Sequence, residues 1–160
     1  MAAETVKDIV QRLFAEVLNA GNLDVVDELF GSECVFHTPF NPDGTGEGFK
    51  QFVSLVRTAF PDVKYTVEDR KIADEGDKVM VRWEARGTHQ GELLGIAPTG
   101  RRIVVTGLLF VFGHTETQWG RDGNEHTWTM INEVWADWGG LSLLQQLGLA
   151  QERPQEQIRR

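Results

Sequence analysis

Cysteine is almost absent from this chain, and its scarcity excludes two kinds of site. The 160 residues contain one cysteine, Cys34, so an intramolecular disulfide framework and a cysteine-rich zinc site cannot form. We expect Cys34 to be a small, buried apolar residue. Long hydrophobic runs are absent as well, since the longest, near residues 108–112, is far too short to span a membrane. The N-terminal segment lacks the basic and then apolar stretch of a signal peptide, so we expect a soluble, cytoplasmic protein.

Basic charge is also scarce. There are 16 lysines and arginines against 24 aspartates and glutamates, which gives a net charge of −8. Such a surface repels phosphate backbones, so we expect no nucleic-acid partner. The hydrophobic content of 41% is enough for one core, and no Pro/Gly/Ser-rich linker divides the chain. We therefore predict a single domain over residues 1–150, followed by a frayed polar tail over residues 151–160.

Hydrophobic periodicity separates a helical N-terminal part from a strand-rich remainder. Apolar residues at helical spacing predict the first helix, with Gly21 as its stop, and Asp24 is expected to cap the second. The segment CVFH at residues 34–37 predicts a brief strand, and Pro61 ends the third helix. The predicted helices cover residues 6–18, 24–30 and 49–60. The predicted long strands cover residues 64–73, 78–89, 102–113 and 127–138.

This order of elements predicts an α+β fold, in which three helices precede an antiparallel meander. The sheet must bury one face against the helices, and where it curls around them it leaves a cavity lined by inward-facing side chains. On the last strand, alternation places Ile131, Glu133, Trp135 and Asp137 on one face. Either face could be the inner one, and a bulge would shift the phase. We expect the functional site to lie in this cavity.

Several motifs occur in an order that resembles a known family. They are AEVLNAGNLDVVDELF at residues 15–30, FPD at 60–62, EGDKVMVRW at 75–83, RGTHQGELLGIAPTGRRIVVT at 86–106 and LLQQLG at 143–148. Glycines and Pro98 in the fourth motif predict a loop that holds one shape. With these motifs the chain resembles the SnoaL-like polyketide cyclases of the NTF2-like superfamily. The resemblance implies a cone: a curved antiparallel sheet of about four to six strands packed on three N-terminal helices around a central pocket.

The resemblance also implies a reaction without a metal or organic cofactor. This reaction is an intramolecular aldol ring closure on an aromatic polyketide or a related polycyclic ketone, whose own ring system delocalises the charge of the intermediate. A homodimer is implied as well. The superfamily scaffold also carries isomerases, epoxide hydrolases and non-catalytic binding or accessory proteins of biosynthetic oxygenases, so these alternatives stay open.

Asp137, just before the final helix, is the residue that the resemblance indicates as the catalytic base. Many relatives carry the acid two positions later, where this chain has Gly139. An apolar pocket would raise the pKa of a carboxyl group there toward neutrality. His89, at the edge of the glycine-rich loop, is the predicted helper, because an imidazole can donate to an oxyanion or transfer a proton. The predicted substrate-binding residues are His37, Arg82, Trp83, Phe110, Glu133 and Trp135.

Other interpretations of these residues remain open. Asp137 is alternatively a capping or ion-paired carboxylate, and Glu133 is a rival base if its face is the inner one. Arg82 is a surface charge if its strand face is outward. The hairpin around residues 116–125 is predicted to end in a solvated turn, with Trp119 as either a lid or an oligomer contact. Its flanking histidines match no established metal-ligand spacing.

Overall fold

The computed structural model describes residues 4–149, so the tail predicted over residues 151–160 lies outside the described residues. The helices are α1 (Val6–Arg12), which continues as a π-helical segment (Leu13–Asn19), α2 (Asp24–Leu29), α3 (Gly46–Ala59) and α4 (Gly140–Gln146). The strands are β1 (Val35–His37), β2 (Lys64–Asp74), β3 (Lys78–Thr88), β4 (Arg102–Trp119) and β5 (Glu125–Trp138). None of the described helices is long and apolar enough to cross a membrane.

The five strands form one sheet in the order β1-β5-β4-β3-β2. The four long strands pair antiparallel in sequence order, which confirms the predicted meander and the α+β fold. The short β1 joins the far edge and runs parallel to β5, with Val35 opposite Glu133 and His37 opposite Trp135. This pairing brings a segment between the second and third helices next to the end of the last strand.

The helix boundaries follow from local capping. Thr5 forms a capping box with Asp8 at the start of α1, and Gly21, with a φ of 75°, ends the helical segment as predicted. The third helix begins three residues earlier than predicted, because the Thr45 hydroxyl accepts a hydrogen bond from the Gly48 amide at 3.0 Å. The prediction that Asp24 caps α2 is wrong, because Asp24 is the first helical residue.

A bulge in β5 decides which side chains face the core. Phe112 pairs with Glu133 while Gly113 pairs with Ile131, so one extra residue, Asn132, interrupts the register. As a result Ile131 and Val134 are both buried, although strict alternation would separate them. Beyond the bulge, the side chains of Trp135 and Asp137 lie on the outer, exposed face of the sheet.

β4 and β5 are both longer than predicted. The hairpin that they form therefore extends past the end of β3. Thr115 and Thr117 of β4 face Thr129 and Thr127 of β5, with hydroxyl oxygens 3.1 Å and 3.0 Å apart. The tip is exposed, as predicted, and Trp119 beside it is 76% exposed.

The core lies between the inner face of the sheet and the helices. Phe36 of β1 stacks on Phe49 of α3 with ring centroids 4.7 Å apart, which fixes the sheet edge against that helix. Cys34 is buried in the same core, as predicted. Burial, together with the nearby negative charge of Glu133, raises the pKa of the Cys34 thiol to about 12.

Candidate functional site

A cavity of about 600 Å³ opens at the end of the sheet where β5 meets α4. This volume lies in the range of roughly 300–1,000 Å³ that is typical of small-molecule sites. Its walls are largely apolar and come from α3, from the loop between β3 and β4, from the end of β5 and from α4. They include Phe52, Leu55, Val56, Phe60, Leu93, Leu94, Ile96, Ala136, Trp138, Leu143 and Leu144. The arrangement suits a ligand with a large apolar body.

The polar lining side chains belong to two neighbouring segments, the end of β1 with its following loop and the end of β5. They are His37, Thr38, Asn41 and Asp137. The amide nitrogen of Asn41 donates to the carbonyl oxygens of Phe36 and Thr45, at 3.3 Å and 3.1 Å, so this side chain holds the loop in place. Among the described lining residues, His37 and Asp137 are the ionisable ones. The ionisable side chains of the cavity therefore lie together at this polar end.

His37 is oriented by two residues of β5. Its Nε2 lies 2.9 Å from Oε1 of Glu133, and its ring stacks on Trp135 with centroids 3.7 Å apart. The indole N–H of Trp135 donates to the same carboxylate oxygen. Because a carboxylate is negatively charged and has no proton to donate, its approach favours a proton on Nε2 of a neutral His37, with the lone pair on Nδ1. The three side chains thus hold the imidazole between a carboxylate and an indole ring at the polar end of the cavity.

Asp137 lies at the rim of the cavity on the outer face of the sheet. It is exposed, and its cross-strand neighbour is Leu108 of β4, which in turn pairs with Arg82 of β3. The apolar surroundings that the sequence predicted for this carboxylate do not enclose it. Trp83 points to the core, and Phe110 is two residues along β4 beside Trp135.

His89 holds the loop between β3 and β4 and is not among the residues that line the cavity. It is fully buried against Phe60, with ring centroids 5.4 Å apart. Its Nδ1 accepts a hydrogen bond from the Thr99 amide at 3.2 Å, and its own amide donates to the carbonyl of Arg101 at 2.9 Å. His37, rather than the predicted His89, is therefore the imidazole at the cavity.

A family model for SnoaL-like polyketide cyclases matches residues 8–112, well over half of the chain. The chain belongs to the SnoaL-like polyketide cyclase family. The match contains the first four of the five motifs and confirms the resemblance.

Solved structures agree with this assignment. IdmH from Streptomyces antibioticus, described as a proposed polyketide cyclase, is 33% identical with a TM-score of 0.67, and the match covers 89% of this chain and 97% of that chain. AclR from Streptomyces galilaeus, described as a proposed hydroxylase, has the same fold at 23% identity and a TM-score of 0.70, with 93% and 84% of the two chains covered. A SnoaL-like protein from Jannaschia is 22% identical with a TM-score of 0.68, and the match covers 91% of this chain and 92% of that chain. No curated protein matches the sequence.

The structure of this SnoaL-like protein divides the predicted substrate-binding residues into two groups. His37 and Trp135 line the cavity, and Glu133 contacts both. Arg82, Trp83 and Phe110 do not line it. Arg82 and Phe110 project from the outer face of the sheet. Trp83 lies behind the cavity wall and packs on Trp138, with ring centroids 5.7 Å apart. These three side chains are therefore not placed to contact a ligand in this cavity.

Much of the apolar wall was not predicted residue by residue. Leu93, Leu94 and Ile96 come from the glycine-rich motif, and Leu143 and Leu144 come from the LLQQLG motif. Both motifs belong to the set that carries the family resemblance. The sequence therefore did contain a signal for the leucines of the cavity wall. Phe40, in the loop after β1, also lines the cavity. It had no such signal, because nothing in its local sequence pattern indicates that its loop reaches the cavity.

Proposed function

We propose that this protein closes a ring on an aromatic polyketide or a related polycyclic ketone by an intramolecular aldol reaction. The observation that carries the proposal is the composition of the cavity, in which apolar walls meet one polar end with an oriented imidazole. The walls would hold the ring system and exclude water, and the polar end would meet the oxygen-bearing, reactive part of the ligand.

In this proposal His37 is the general base. Its Nδ1 takes a proton from a carbon that lies next to a ketone, and the electron pair of that C–H bond becomes an enolate delocalised over the fused rings. The carboxylate of Glu133, whose Oε1 lies 2.9 Å from Nε2, stabilises the imidazolium that forms, so Glu133 acts as a positioning residue.

The enolate carbon then attacks a second carbonyl carbon of the same molecule. A carbon-carbon bond forms, the carbonyl π electrons move to oxygen, and the alkoxide takes the proton back from the imidazolium of His37. The substrate and the cyclised product are therefore isomers. Asp137 lines the same rim and is the second candidate for the base.

Deuterium exchange into anthrone tests the proton-transfer step without the natural substrate. Anthrone is a flat tricyclic ketone with one activated methylene group, and NMR in deuterated buffer measures the loss of its methylene protons. We expect the protein to accelerate exchange, and His37→Gln to reduce the acceleration by about 100-fold or more. Glutamine keeps an N–H for Glu133 but removes the basic nitrogen.

The matched variant is Asp137→Asn, which keeps its shape and removes its charge. We expect it to retain most of the exchange activity. If Asp137→Asn abolishes exchange and His37→Gln does not, the base is Asp137 and the role given to His37 is wrong. A product in which a double bond has moved, without a new ring, would identify an isomerase that uses the same first step.

A ligand-holding protein without catalysis is the second candidate function. The exposure of Asp137 favours it, because no carboxylate among the described lining residues is enclosed by the cavity. Saturable binding of anthrone together with an exchange rate no faster than that of buffer would support this alternative and contradict the cyclase proposal.

We also propose that the protein is a homodimer that pairs through the outer face of the sheet. Exposed or half-buried apolar side chains cross three strands of this face: Met80, Leu108, Phe110 and Trp135. Arg82 and Asp137 flank Leu108 with opposite charges, so a two-fold partner would place complementary charges around a shared apolar centre.

A further inference from the structure

Two residues at the cavity have backbone conformations that a side chain resists. Phe40 has a φ of 60° and Leu94 a φ of 48°, and they are the non-glycine residues with positive φ in the part of the chain that the structure describes. A Cβ atom in this left-handed region crowds the neighbouring carbonyl oxygen. The two residues lie on separate loops, yet both line the same cavity.

Both side chains are also large, apolar and exposed, by 63% for Phe40 and 54% for Leu94. Leaving such a side chain in water forgoes the stabilisation that its burial would give. Each residue therefore combines a strained backbone with an exposed apolar side chain. Strain of this kind is found where ligands are held, because the surrounding structure keeps a residue there for contact rather than for stability.

Leu94 occupies the tip of a well-anchored loop. The backbones of Leu93 and Ile96 exchange two hydrogen bonds of 3.0 Å and 2.8 Å, so Leu94 and Gly95 are the central residues of a two-residue turn. Gly95 also has a positive φ, of 82°, and turns with two such residues favour asparagine followed by glycine. Leucine is thus an unfavourable choice for the turn itself. The base of the loop is fixed on α3, because the amide of Gln90 donates to the carbonyl of Ala59 at 3.0 Å.

We propose that Phe40 and Leu94 are ligand-contact residues that cover a flat polycyclic ketone in the cavity and set the affinity for it. The proposal takes its ligand class from the proposed function, but it does not require that ring closure occurs. On binding, the two side chains lose their exposure to water against the ligand rings, which offsets the strain of their backbones.

The test is the substitution Leu94→Asn, with anthrone as the probe. We expect anthrone to bind about fivefold to tenfold more weakly, since an apolar contact is lost. We also expect the unliganded variant to melt about 3 °C higher, because asparagine tolerates the left-handed conformation. Quenching of tryptophan fluorescence reports the affinity, because Trp138 lines the cavity. A purely structural leucine would not give weaker binding together with greater stability.

The matched control is Leu141→Asn. Leu141 is 66% exposed on α4 but does not line the cavity, so its loss should leave anthrone affinity unchanged. Phe40→Asn should repeat the pair of effects seen for Leu94→Asn. Unchanged affinity in both loop variants would overturn the proposal, and so would an absence of saturable quenching in the wild-type protein. Deuterium exchange is measured separately, so a protein that binds anthrone without exchanging its protons would contradict the catalytic proposal alone.

Discussion

The imidazole of His37 lies flat on the indole of Trp135, with ring centroids 3.7 Å apart and an angle of 15° between the ring planes. The two residues are far apart in sequence and meet because β1 runs parallel to β5 in a register that places them opposite each other. The same register puts Glu133 within hydrogen-bonding distance of the imidazole. The proposed acid/base group therefore depends on the pairing of a three-residue strand.

The first prediction concerns Glu133. Glu133→Gln should lower the rate of anthrone deuterium exchange by about 10-fold to 100-fold while anthrone affinity stays close to that of the wild type. A glutamine amide can donate to Nε2 of His37, which moves the ring proton to Nδ1 and removes the basic lone pair. Exchange rates at saturating anthrone, measured alongside the dissociation constant, separate these two effects. An equal loss in both would indicate a binding role for Glu133 instead.

The second prediction concerns the outer face of the sheet. Leu108→Lys should convert the proposed dimer to a monomer, because it places a charge at the centre of an apolar interface, and the dissociation constant should rise by about 100-fold or more. Sedimentation velocity over a range of concentrations measures the change. Trp119→Lys, at the exposed tip of the hairpin, is the control and should leave the dimer intact. Dissociation by Trp119→Lys alone would place the contact on the hairpin.

The third prediction follows from the pKa of the Cys34 thiol, which burial raises to about 12. Thiolate is the reactive form, so at about pH 8 the folded protein should react with a disulfide reagent about a thousandfold more slowly than the unfolded chain. Release of the chromophore from that reagent, with and without urea, measures the difference. Full labelling of the folded protein at the rate of the unfolded chain would contradict the burial of Cys34.

The fourth prediction concerns Asp62. Its carboxylate accepts hydrogen bonds from the amide and hydroxyl of Thr88, at 2.7 Å and 2.8 Å, and these bonds lower its pKa below the ordinary value of 3.8. The stabilisation is therefore complete above pH 3.8 and is lost as the pH falls through the lower, folded-state pKa.

Asp62→Ala should reduce the free energy of unfolding by about 0.5–1 kcal/mol near neutral pH, since the site is exposed to solvent. The difference from the wild type should shrink in strong acid. Urea unfolding at several pH values measures both. A difference that grows as the pH falls would contradict this account of Asp62.

The sequence predicted the strands of the meander because the change of period after Pro61 is a local signal. It could not place the bulge at Asn132, which depends on how β5 pairs with β4. That bulge assigns Ile131 to the core face and Asp137 to the outer face. The pairing of β5 with β4 therefore decides on which face of the sheet Asp137 lies. Alternation along a single strand carries no information about that pairing.

The site was only partly predictable for a similar reason. The glycine-rich motif indicated a loop of fixed shape, and Leu93 and Leu94 of that loop do line the cavity. The sequence did not indicate the left-handed backbone of Leu94 or of Phe40, because leucine and phenylalanine normally avoid it. The position of His89 at the loop edge indicated a role in the site, but its side chain is fully buried, packs on Phe60 and accepts a hydrogen bond from the Thr99 amide.

The most direct test of the central claim is a crystal structure of the protein with anthrone bound. We expect the tricyclic ring system inside the apolar cavity, with its methylene carbon within about 3.5 Å of Nδ1 of His37. We expect Phe40 and Leu94 to contact the rings. Anthrone bound in the cavity with its methylene group turned away from His37, or bound outside the cavity, would contradict the claim that His37 carries the proton transfer.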